Sequence, residues 1–281
     1  MILKSVNLYE HFDVSGAENV RGQLFCQAME PISSVARNRR RPAVLVIPGG
    51  GYSMTSEREA EPIALRFLAR GYATFILYYT CKPQGFPVAL REAAMAMRYI
   101  RENACAFSVD PNMVAAIGFS AGGHLCGTLG TMYDCPEVAD IGPAELIRPD
   151  ALGLCYAVLV EWGRTHQGTF NNVSMCDPEL RKRLSLEKQV RSDMPPVFLW
   201  HTRNDETVPC RNSIVMAEAL EEAGVDFAMH IYRNGPHGLA TADNLTYRAG
   251  NIPEFSQNIR RWLPDIMDFF EDVGFHTTDI Q

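Results

Sequence analysis

The sequence predicts an α/β protein: a mainly parallel, doubly wound sheet flanked by helices on both faces. Short, almost unbroken apolar runs recur at about 44–47, 73–79, 114–117, 151–160, 197–200 and 226–232. Runs without polar alternation belong to strands covered on both faces, as in parallel sheets. Helical stripes alternate with these runs, which is the order of repeated strand–helix–strand units. At 281 residues and 47% hydrophobic, the chain can bury one large core, so 1–281 is expected to form a single domain.

The helices follow from spacing. Within 57–70, Ala60, Ile63, Ala64, Phe67 and Leu68 share one face, and Gly71 stops the pattern. Leu90, Ala93, Ala94, Met97 and Ile100 repeat it before Asn103, and Met216, Ala217, Leu220 and Ala223 do so before Gly224. Residues 1–41 are expected to supply leading antiparallel strands and a polar loop through Ser33-Ser34 and Arg37-Asn38-Arg39-Arg40-Arg41, the basic run being read as solvated loop. Segment 161–194 breaks the rhythm, and is expected to be a short cap or lid. Its Trp162 and Phe170, with Tyr52 elsewhere, are candidate substrate contacts, the two cap aromatics serving either as sugar-stacking platforms or as ordinary lid packing.

Charge and cysteine usage narrow the partners. A net charge of −7 and a pI near 5.5 argue against nucleic acid or an anionic membrane surface. No run approaches a membrane span, and the first residues lack a basic stretch followed by a sustained apolar one, so a cytoplasmic location is expected. The eight cysteines show no C-x-x-C spacing and no clustering with histidine. Neither a metal nor a redox pair is indicated, and no cofactor is expected.

The chemistry is carried by Gly118-Phe119-Ser120-Ala121-Gly122, which follows the apolar run 114–117 and opens a small-residue segment able to form a helix. A serine at a tight strand-to-helix turn presents its hydroxyl, and the residues two before and two after must be tiny. Another buried run, 43–47, leads into Pro48-Gly49-Gly50-Gly51-Tyr52. The amides of Gly50 and Gly51, joined by that of Ala121, are candidate donors to an oxyanion. A phosphate cradle is disfavoured, because no G-K-[ST] follows.

An acid belongs just beyond a strand end. Asp205, after the run 197–200, is chosen over Glu206, with Asp193 and Asp226 further back. The histidine must follow it, leaving His230, His237 and His276. His237 lies in the turn Asn234-Gly235-Pro236-His237-Gly238-Leu239, where its ring can be presented at the sheet's carboxyl end. His230 falls mid-strand and His276 in the C-terminal tail.

The chain thereby resembles the α/β-hydrolase superfamily, and within it the esterase/lipase-like branch that includes bacterial acetyl xylan esterases and carbohydrate deacetylases. The resemblance spans 42–263 and rests on P-G-G-G-Y at 48–52, G-F-S-A-G-G-H-L at 118–125, the run 195–202 leading into Asp205 and Val208-Pro209, and G-P-H-G-L at 235–239. Hormone-sensitive-lipase-like relatives carry histidine before the three glycines. Pro48 stands there instead, which favours the carbohydrate-esterase branch. The resemblance implies a serine hydrolase acting on a small-molecule ester, such as an acetylated xylo-oligosaccharide, without metal or cofactor. A general short-chain carboxylesterase, an arylformamidase-like amidase and a non-catalytic binding protein on the same fold are the alternatives.

Overall fold

The computed structural model describes residues 1–14, 19–32, 39–247, 253–276 and 278–279. Its strands are β1 (Ile2–Asn7), β2 (Gln23–Ala28), β3 (Arg39–Ile47), β4 (Ala73–Tyr78), β5 (Val109–Phe119), β6 (Ala151–Cys155), β7 (Val197–Thr202), β8 (Phe227–Tyr232) and the short β9 (Thr278–Asp279). The helices are α1 (Leu8–His11), α2 (Glu61–Leu68), α3 (Val88–Glu102), α4 (Ala121–Thr131), α5 (Ala144–Ile147), α6 (Gln167–Ser174), α7 (Pro178–Arg183), α8 (Arg211–Glu222) and α9 (Trp262–Asp272). The sheet runs β1-β2-β4-β3-β5-β6-β7-β8, with β9 pairing β3. β2 pairs antiparallel with β1 and β4. From β4 through β8 every neighbouring pair is parallel. This is the α/β-hydrolase fold, as expected.

Successive strand residues face opposite sides, and this divides the interior into two cores. Ala43, Leu45 and Ile47 of β3 and Val114 and Ala116 of β5 join the core covered by α3, α4 and α8. Val44 and Val46, with Ala115, Ile117 and Phe119, join the core covered by α2 and α9. Every residue of α4 is buried. Because β3, β5, β7 and the edge strand β8 run parallel in this sheet, the loops that follow them open at the same edge of it.

Two expectations need correction. The run 151–160 leaves the sheet after Cys155, because Tyr156 adopts a φ of 37° and turns the chain. Its continuation stays buried because its amides find other partners. Val158 N–H donates to Ser120 O (3.1 Å), and those of Leu159 and Val160 donate to Oδ1 of the wholly buried Asn212 (2.9 and 3.0 Å). The stretch Arg39-Arg40-Arg41 is strand, not loop: it opens β3, where Arg39 and Arg40 pair with β9 and Arg41 pairs with Val109. Ser33-Ser34 and Arg37-Asn38 lie outside the described residues. Segment 161–194 holds α6, α7 and a 3-10 turn, Leu186–Lys188. Among the described residues no helix is long and apolar enough to cross a membrane.

Candidate active site

Ser120 stands between β5 and α4 with φ 53° and ψ −118°, a backbone conformation that costs a non-glycine residue about 1–3 kcal/mol. Surrounding packing holds it there. A Cβ at Gly122 would meet the Ile47 and Pro48 carbonyl oxygens at 2.2 and 2.3 Å, so α4 can lie against the end of β3 only if that position is glycine. Ser120 N–H is anchored on Cys155 O at 3.0 Å.

The loops after β7 and β8 bring two partners to this serine. His237 Nδ1 lies 2.7 Å from Asp205 Oδ2, and Nε2 lies 2.9 Å from Ser120 Oγ. A carboxylate only accepts, so Nδ1 carries the proton and Nε2 can take one from the serine. Asp205 is 5% exposed, and its Oδ1 accepts from the amides of Thr207 and Val208 at 3.0 and 2.8 Å. Burial resists its ionisation, but the contacts of His201 and His237, the His237 charge and the Val208 amide outweigh it, holding the carboxyl well below the usual range. His201 Nε2 lies 3.6 Å from Oδ2 but donates to Val208 O at 2.8 Å, while Nδ1 accepts from Ser213 Oγ. It clamps the acid's loop. Glu206, the competing acid, is exposed.

The glycine loop is held by its carbonyls. Gly49 O accepts from Ser56 N–H, Gly50 O from Ser53 N–H and Oγ, Gly51 O from Asn172 Nδ2, and Tyr52 O from Lys82 N–H. Gly50 has φ 127°, and a Cβ there would lie 2.1 Å from Met54 O. Among the described residues, the N–H groups of Gly50, Gly51 and Ala121 donate to no protein acceptor. Gly49 N–H donates instead to Oε2 of Glu59 at 2.9 Å.

Two of the three expected substrate contacts, Tyr52 and Phe170, are turned into the interior. Tyr52, at φ 54°, turns its ring inward: it is 3% exposed and its hydroxyl donates to His124 Nδ1 at 2.9 Å. Phe170 is wholly buried, edge-on to His124, because α6 faces inward through Thr169, Phe170 and Val173. Both are core residues, so neither ring has a face free for substrate. Trp162 is half-buried, under the Arg211 guanidinium at 5.4 Å. His166 was not foreseen. It caps α6 through Nδ1, and its Cε1 would lie 3.6 Å from a Cβ at Gly51. Burial and the nearby His237 push it down against the pull of Asp205. A cavity of about 320 Å³ opens beside His237, lined in part by Arg58, Thr207, Thr246 and Tyr247.

Comparison with known proteins places the chain in a family. Residues 32–220 match the family model described as BD-FAE. The chain belongs to the BD-FAE family. Among similar curated proteins, this BD-FAE chain is 36% identical over 228 residues to endo-1,4-beta-xylanase B of Butyrivibrio fibrisolvens, covering 77% of the chain and 35% of that protein. It is 28% identical to an acetylxylan esterase of Xylanibacter ruminicola, covering 93% of the chain and 52% of that protein. It thus spans about a third to a half of these relatives. Among solved structures, an acetyl ester-xyloside bifunctional hydrolase from Caldicellulosiruptor lactoaceticus superposes with a TM-score of 0.83 at 32% identity, covering 97% of both chains. A carboxylesterase from Lactobacillus plantarum superposes with a TM-score of 0.84 at 26% identity, covering 99% of this chain and 100% of that one.

Proposed function

We propose that this chain is a serine carboxylester hydrolase that removes short acyl groups, acetyl above all, from carbohydrate esters such as acetylated xylo-oligosaccharides. The observation that carries this reading is the hydrogen-bonded series Asp205–His237–Ser120, at 2.7 and 2.9 Å, ending on a serine in a strained turn. In this reading Ser120 Oγ attacks the acyl carbon as His237 Nε2 takes its proton. The amides of Gly50, Gly51 and Ala121 receive the developing oxyanion, which preorganised N–H groups stabilise because they need not reorient. The carbonyl re-forms, the sugar oxygen leaves with the proton from His237, and Ser120 holds the acyl group. His237 then deprotonates a water that attacks the acyl carbon, the bond to Ser120 Oγ breaks as His237 returns the proton to that oxygen, and the carboxylic acid leaves as carboxylate.

The carbohydrate part of the reading is supported by the acetylxylan esterase and acetyl ester-xyloside hydrolase among its relatives. The cavity beside His237, where the departing alcohol belongs, supports it too, since Arg58, Thr207, Thr246 and Tyr247 give it a polar and partly aromatic lining. Segment 161–194 is the cap in this reading, its His166 standing over the oxyanion loop. The test is p-nitrophenyl acetate turnover followed by acetate release from acetylated xylo-oligosaccharides. A protein that is acylated by neither, and whose Ser120 is not labelled by a p-nitrophenyl phosphonate, is not this enzyme.

A further inference from the structure

Glu59 is a buried carboxylate with no role in the chemistry above. It is 3% exposed, and among the described residues it forms no ion pair. Burying such a group costs several kcal/mol unless hydrogen bonds replace its water, and an apolar side chain of similar size would fill the space at lower cost. Its two hydrogen bonds both come from the walls of the site. Gly49 N–H reaches Oε2 at 2.9 Å and the Tyr156 hydroxyl reaches Oε1 at 2.8 Å.

Each bond leads to a different loop. Gly49 begins the glycine loop, and its carbonyl also accepts from Ser56 N–H, at the start of the turn that carries Glu59. Tyr156 accepts the amide of Ala240 at 3.1 Å and lies edge-on to the His237 ring, with centroids 5.1 Å apart. The preceding residue grips the same histidine loop: Arg58 Nη1 donates to the carbonyls of Gly238 and Thr246 at 2.9 and 3.0 Å. A Cβ at Gly49 would lie 2.8 Å from Glu59 Oε2, and one at Gly238 would lie 3.8 Å from Oε1. The carboxylate is therefore wedged between the two loops.

We propose that Glu59, assisted by Arg58, is a positioning residue that fixes the oxyanion loop relative to the general base; this rests on the serine-esterase reading above. With Gly49 N–H held on Glu59 and the loop carbonyls engaged elsewhere, the amides of Gly50 and Gly51 stay directed at the site. The link through Tyr156 references His237 to the same turn. Loops nearly two hundred residues apart in sequence are aligned by one side chain. Misalignment would weaken donors that matter in the transition state and leave substrate association nearly untouched, since a 1 Å error in such a site costs on the order of a hundredfold in rate.

Glu59→Gln tests this, because glutamine presents one acceptor oxygen where two donors converge. Turnover of p-nitrophenyl acetate should fall about 30- to 300-fold with KM changed by less than about threefold, and the phosphonylation rate of Ser120 should fall in parallel. Tyr156→Phe should also lower kcat, and the double variant should lose less than the product of the two single losses, since both break one linkage. Wild-type kcat in folded Glu59→Gln, or strictly multiplicative losses, overturns the proposal. If Glu59→Gln does not fold, Tyr156→Phe decides it, and wild-type kcat there overturns it. Phosphonate labelling of Ser120 in the wild type separates the two readings. Labelling with an unaffected Glu59→Gln sinks the positioning role alone, whereas no labelling and an active Ser120→Ala sink the esterase reading and this proposal with it.

Discussion

Ser120, Asp205 and His237 lie 117 and 32 residues from their partners along the chain, yet each was legible because its local chemistry is demanding. A serine between small residues after an apolar run, and a histidine in a glycine-flanked turn, have few other uses. Substitution should show the unit behaviour of such a set. Ser120→Ala is expected to lower kcat by roughly four to six orders of magnitude, leaving the weak catalysis of the oxyanion donors alone; steady-state assays after active-site titration check this. Asp205→Asn should cost on the order of ten-thousand-fold, because Nδ1 loses the acceptor that fixes the tautomer, whereas the exposed Glu206→Gln should cost far less. A larger loss in Glu206→Gln would move the acid to that residue. Glu59, His201 and Asn212 were not legible as parts of the site. Glu59 does leave a trace: it precedes Ile63 by four and Phe67 by eight, placing a charge on the buried stripe. Nothing local tells which backbone groups such a side chain will meet.

At the level of elements, apolar runs predicted where strands lie better than where they end. Residues 156–160 are as apolar as a strand, but a left-handed Tyr156 and the distant Asn212 side chain take the place of ladder partners. A long-range amide partner has no signature in the run itself. His124 shows the same limit. On the fully buried α4 it accepts from the Tyr52 hydroxyl and donates through Nε2 to Leu184 O at 2.9 Å. One imidazole thus ties together the serine's helix, the glycine loop and segment 161–194. Burial depresses it to about 4 from an ordinary 6.5, against the pull of the Leu184 carbonyl. An unfolded chain then binds a proton that the folded one refuses, so this contribution is intact above about pH 6.5 and is lost as pH falls toward 4. About 2 kcal/mol should be gone by pH 5, at roughly 1.4 kcal/mol per pH unit. Urea unfolding at pH 7 and pH 5 measures it, and in His124→Gln the difference should shrink by that amount. An unchanged pH slope would show that His124 titrates normally.

At the scale of the whole molecule, the alternation of apolar runs and stripes was enough for the α/β class and both covered faces, but not for strand order. That β4 lies outside β3, so that the chain reverses direction across the sheet and opens its loops above β3 and β5, depends on crossovers no local pattern records. Below the glycine loop the interior is closed: Tyr52, Phe86, Leu90, His124, Val173 and Leu184 surround a void of about 10 Å³, barely room for one water. Open space lies beside His237, in one cavity of about 320 Å³ and a second of about 480 Å³. The proposed esterase reading assigns the acyl group to the closed side and the departing alcohol to the open one. An acyl chain that must force its way into a close-packed wall loses roughly 1–3 kcal/mol for each ill-fitting methylene. The specificity constant for p-nitrophenyl esters should accordingly drop at least about tenfold from acetate to butyrate and further to octanoate. Enlarging the alcohol, from p-nitrophenol to a xylo-oligosaccharide, should be tolerated. A specificity constant rising toward octanoate, with no acetate released from acetylated xylo-oligosaccharides, would reverse the assignment of the two sides and make a lipid-directed esterase the better description.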